Sequence, residues 1–121
     1  MGMHVLFGVK ASNIFNIDDA AAMVARIINA TPMKWNSEAR GDYCTFDTGT
    51  TERAELVPGI WWDYEDGDYP VEPDFPNWKF LLYLAGTSAQ SPWLKALEGA
   101  AEHFEKLHTE VIPDPAPRPA D

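Results

Sequence analysis

The stretch FLLYLA at residues 80–85 constrains the fold more than any other part of the chain. Successive residues of a strand point to opposite faces, so a run that is apolar at every position needs cover on both. The segment is therefore expected to be the central strand of a sheet. The remaining elements have to supply the cover.

Two of them read as helices. Asp18 can cap a first helix whose leading amides would otherwise lack partners, and Asp19 adds charge suited to its positive end. Ala21, Val24, Ile27 and Ile28 then recur at helical spacing, and Pro32 disfavours a helical Thr31, which sets the stop there. Ser91 and Pro92 give a second start, with a hydroxyl at the cap and proline at the first helical position. Trp93, Leu97, Ala100, Phe104, Leu107 and Val111 follow at alternating steps of four and three, which predicts one long amphipathic helix across the sheet. Glu102 and Lys106 have the spacing of a weak stabilising pair on its outer side.

Other segments read as strands. In residues 4–10, Val5, Phe7 and Val9 alternate with His4, Leu6, Gly8 and Lys10, which assigns the first three to the core face. Residues 42–48 alternate likewise, Cys44 and Phe46 opposing Tyr43 and Thr45, and a turn at Gly49 leads into residues 53–57 as a hairpin. Residues 60–62 can resume as a short edge strand, whereas 33–35 are too few to assign. The expected class is α+β: a single domain over residues 3–112, of order β-α-β-β-(β)-β-α, with a mostly antiparallel sheet and two helices packed on it. Residues 113–121, PDPAPRPAD, read as a proline-rich flexible tail.

At 121 residues the chain can bury roughly two thirds of the surface its unfolded form exposes, so it is expected to fold without a disulfide or metal. Cys44 is its only cysteine, which makes a reducing cytoplasm the expected home. No stretch approaches the ~20 apolar residues of a membrane span, and the start MGMHVLFGVK lacks the parts of a signal peptide. The formal net charge of −10 argues against nucleic acid and anionic membranes, which need clustered cations, and favours capture of a cationic protein.

Much of that charge sits in WWDYEDGDYPVEPDFP, residues 61–76. Asp63, Glu65, Asp66, Asp68, Glu72 and Asp74 lie among Trp61, Trp62, Tyr64, Tyr69 and Phe75, with no Lys or Arg between them. Pro70, Pro73 and Pro76 bar a helix or central strand, so the segment is expected to be a long shaped loop rather than a regular element. Rings supply buried area and carboxylates supply steering toward a basic partner. Exposing every ring would leave an aggregation-prone patch, so some must fold back as a lid. The candidate partner-binding residues are Trp61, Trp62, Asp63, Tyr64, Glu65, Asp66, Asp68, Tyr69, Glu72 and Asp74, with Trp62 and Tyr64 as anchors.

Enzyme signatures mostly fail. There is no P-loop, dinucleotide fingerprint, nucleophile elbow or paired metal-binding histidine motif. On one helix His103 and His108 would stand about 140° apart, too far round to share a zinc, so His108 is assigned to the border of the core stripe and His103 to solvent. With Gly67 as the glycine of an EF-hand loop, Trp62 and Tyr64 fall where oxygen ligands belong and Pro73 replaces the closing Glu. An irregular calcium loop stays open, as does a glycosidase-type carboxylate pair, whose separation no sequence fixes. Cys44 alternates on its strand as an ordinary half-buried cysteine does, not as a nucleophile. The chain reads as a non-enzyme with no cofactor and no metal.

The order strand, helix, hairpin, acidic loop, central strand, helix resembles small immunity proteins encoded beside bacterial polymorphic toxins and secreted effectors. GDYCTFDT after the first helix, the acidic loop closing on EPDFP, and WKFLLYLAGT before a capped helix carry the likeness, which covers most of residues 3–112. The resemblance implies a cytoplasmic inhibitor that binds one cognate toxin domain and covers or distorts its active site. A toxin acting on nucleic acid or a phosphorylated cofactor often has a cationic cleft, and a carboxylate-rich loop would enter it as a phosphate mimic. Two other readings stay open: a small enzyme or ligand-binding domain with a carboxylate-lined cleft walled by the acidic loop and Tyr43, and an adaptor acting through the proline-rich tail.

Overall fold

The computed structural model describes residues 2–10, 16–37, 41–47, 52–63 and 67–112. In chain order the elements are β1 (Gly2–Val9), α1 (Ile17–Ile28), β2 (Met33–Ser37), β3 (Gly41–Asp47), β4 (Arg53–Pro58), β5 (Ile60–Asp63), β6 (Gly67–Pro70), β7 (Phe80–Thr87), α2 (Pro92–Gly99) and β8 (Phe104–Ile112). Six strands form one sheet in the order β2-β3-β4-β7-β1-β8, and every neighbouring pair is antiparallel. The fold is α+β. The apolar run lies on β7, between β4 and β1, as a strand needing cover on both faces must.

One face is covered by the helices. Val5, Phe7 and Val9 of β1, Cys44 and Phe46 of β3, and Leu82 and Leu84 of β7 pack with Ala20, Val24 and Ile28 of α1 and with Trp93 and Leu97 of α2. For β1 this is the face that strand alternation assigned to the core, and β3 and β4 form the expected hairpin, whose register sets Cys44 opposite Leu56 and Phe46 opposite Ala54. Each fully buried Leu or Phe contributes roughly 1.5–3 kcal/mol over its exposed state.

The ends of α1 differ from expectation. Asn16, not Asp18, is the cap: its Oδ1 accepts from the Asp19 amide at 2.9 Å. The helix stops at Ile28 because Asn29 turns left-handed, at φ 55°, ahead of Pro32. Asparagine reaches that conformation more cheaply than most residues.

The larger correction concerns the C-terminal stripe. The expected long helix ends at Gly99, the chain reverses through residues 100–103, and β8 pairs with β1 along its length. Without β8, β1 would be an open edge with unpaired amides, and Thr109, Val111 and Ile112 are β-branched residues suited to a strand. A bulge where Leu6 and Phe7 meet β8 skips Leu107, so Phe104 joins the helix-side core while Leu107 packs on the other face. Glu102 and Lys106 do not pair; Lys106 Nζ meets Glu98 Oε2 at 2.6 Å instead.

The second face is covered by residues 71–79. Leu6, Val57 and Leu81 form its small buried centre, and Val71, Phe75 and Trp78 lie against them with Tyr43 and Tyr83. The other side of the apolar run is thus closed by the end of the acidic stretch and the residues just after it.

Candidate partner-binding ribbon and the adjoining cleft

The acidic segment is not an irregular loop over its whole length. β5 and β6 pair with each other as a separate two-stranded ribbon, with Ile60 opposite Pro70, Trp61 opposite Tyr69, Trp62 opposite Asp68 and Asp63 opposite Gly67. The prolines permit this because a ribbon has open edges, and Pro70 closes the last pair, where a missing amide costs least. Trp61, Trp62, Asp63, Asp68 and Tyr69 are placed here by backbone register alone. Tyr64, Glu65 and Asp66 lie outside the described residues, as do residues 113–121.

The base of the ribbon is clamped to the sheet. Gly59 donates its amide to the Lys79 carbonyl at 2.8 Å, and its own carbonyl accepts from the Val71 amide at 2.9 Å. A β-carbon at Gly59 would come within 1.8 Å of the Trp78 carbonyl oxygen, so only glycine lets the two backbones cross. The chain enters the ribbon at Gly59 and leaves it at Val71 through one shared junction.

Of the candidate residues past that junction, Asp74 is exposed and Glu72 is half-buried. Phe75 takes the lid role foreseen for some of the rings. Trp78 extends that lid, its indole lying over Gly8.

Beside the lid, the second face opens into a cleft of about 340 Å³ lined by His4, Leu6, Glu72, Tyr83, His108 and Glu110. Strand register builds it: Leu6 pairs with Tyr83 on β7 and His108 on β8, and His4 pairs with Glu110. The Tyr83 hydroxyl donates to Glu72 Oε1 at 2.5 Å, tying the lid to the sheet. Two carboxylates, Glu72 and Glu110, thus line a cleft on this face, and Tyr83, not the Tyr43 expected for such a wall, is among its residues. Tyr43 packs in the apolar centre of that face. His4, His108 and Glu110 escaped the sequence reading because they converge only if residues 104–112 form a strand. Their one signal is the position of His4 on the polar side of the β1 alternation.

His108 is exposed on β8, not at the border of a helical stripe, and His103 sits in the turn before it. Among the described residues, no group of three or more His, Cys, Asp or Glu side chains is placed to hold a metal ion. Cys44 is buried at 2% exposure beneath the helices, and burial, then the Asp18 carboxylate, push its thiol up, away from the reactive thiolate. On the outside, Lys34 Nζ lies 3.0 Å from Asp18 and 3.4 Å from Asp42, whose other partner is the Asn36 amide at 2.7 Å. No helix among the described residues is long and apolar enough to cross a membrane. Comparison with protein-family models, with curated proteins and with solved structures gives no match for this chain.

Proposed function

We propose that this chain is a cytoplasmic immunity protein that binds a cognate bacterial toxin domain through its acidic, aromatic-rich ribbon and so blocks the toxin's active site. The observation that carries the reading is the separation of the ribbon from the six-stranded sheet: among the described residues β5 and β6 pair only with each other, on a base clamped at Gly59. A segment built this way presents side chains without being a strand of the core sheet. Its acids, within a chain of net charge −10, would steer a cationic cleft toward it, and its rings would supply the buried contact area.

Neutralisation is the test. Co-expression with the protein encoded immediately upstream should relieve that protein's toxicity, and removal of residues 113–121 should leave the relief intact. Toxicity unchanged by this chain, or relief lost with the tail alone, contradicts the reading.

A further inference from the structure

We propose that the cleft on the second face is a binding site for a guanidinium group carried on an aliphatic stem. Its charge selects the sign of the ligand. Glu72, bonded to Tyr83 of β7, and Glu110 of β8 line it with β1 between those strands, and no lysine or arginine is among the residues that line it. An anion would meet two carboxylates there, and a metal ion lacks a set of three donors among the described residues.

Its shape selects the kind of cation. β7 and β8 flank β1, so two strand spacings of ~4.8 Å set the walls roughly 10 Å apart, wide enough for a planar fork with a carboxylate at each end. The Tyr83 hydroxyl occupies one oxygen of Glu72 and leaves the other for a ligand donor. No ion pair of Glu110, His4 or His108 occurs among the described residues. Leu6 and Ala85 supply an apolar floor for the methylene stem. The volume of about 340 Å³ falls at the small end of known ligand sites, roughly 300–1,000 Å³. A guanidinium suits facing carboxylates better than an ammonium because its donors are fixed in a plane and pair bidentately.

The site is distinct from the acidic ribbon, and the proposal stands whether or not the ribbon contacts a toxin. The test is an NMR titration of the full chain with three probes: butylguanidinium, the tripeptide acetyl-Gly-Arg-Gly-amide, and the neutral isostere butylurea. Both cations should shift the amides of Leu6, Ala85 and Glu110 at millimolar concentration, and butylurea should not. Glu110→Gln and Glu72→Gln should each weaken binding about tenfold or more, as loss of a charge-assisted contact does, while Trp62→Ala leaves it unchanged. Tighter binding of the tripeptide identifies an arginine displayed by a protein, and tighter binding of butylguanidinium a free organic cation; either supports the site. Absence of shifts with both cations, equal binding of butylurea, or indifference to both Glu→Gln changes would overturn it.

Discussion

The indole of Trp78 lies face-on to Gly8, so that a β-carbon at Gly8 would stand 2.4 Å from Cδ2 and within 2.6 Å of its two ring neighbours. The lid over the second face depends on that flat spot. Gly8→Ala should force the indole away and lower stability by about 1–3 kcal/mol, the usual cost of overpacking. Urea unfolding measures it, and a shifted Trp78 indole resonance would show that the lid, not the helix-side core, has moved.

Gly59→Ala should cost more than Gly8→Ala. The obstruction there is backbone, the Trp78 carbonyl, and cannot rotate aside. The ribbon base should open, and hydrogen exchange at the Val71 amide should accelerate relative to core amides of β7.

The Asp42 carboxyl is held below its usual range, first by the Asn36 amide and then by Lys34. A folded-state value below the unfolded one gives a contribution present above the unfolded value and lost as pH falls through the folded one. An NMR titration should therefore show Asp42 protonating at lower pH than an isolated aspartate, and Asn36→Ala should raise its midpoint. The side chain is 42% exposed and screened by solvent, so the effect on global stability should be small.

Cys44 should resist thiol reagents in the native protein. Its thiol is raised by burial, so the neutral form favoured on folding adds stability below the unfolded value that is lost as pH rises through the folded one. Modification by a water-soluble disulfide should follow the opening of the fold and accelerate with urea. Rapid reaction in native buffer would contradict the burial of 2% exposure on which the argument rests.

Much of the fold was legible because single-strand patterns settled it. The alternation of Val5, Phe7 and Val9 fixed which face of β1 met the helices, and that of Cys44 and Phe46 marked β3 as a strand. The C-terminal stripe misled because Phe104, Leu107 and Val111 fit a helix by spacing, while the decisive influence, the open edge of β1, is tertiary. A bulge at Leu107 breaks the two-residue period that would have marked β8 as a strand. The same error hid the cleft, since His108 and Glu110 reach Leu6 and His4 only through that pairing. The ribbon was obscured by Pro70 and the prolines that follow it, which argue against a central strand but not against a short pair with open edges.

The most direct measurement of the central claim is calorimetric titration of this chain into the protein encoded immediately upstream, repeated with Trp62→Ala and Asp66→Asn. The account predicts a tight one-to-one complex that Trp62→Ala weakens by at least ~2 kcal/mol, roughly thirtyfold, while Asp66→Asn mainly slows association at low salt. No complex, or one that neither change affects, would contradict it.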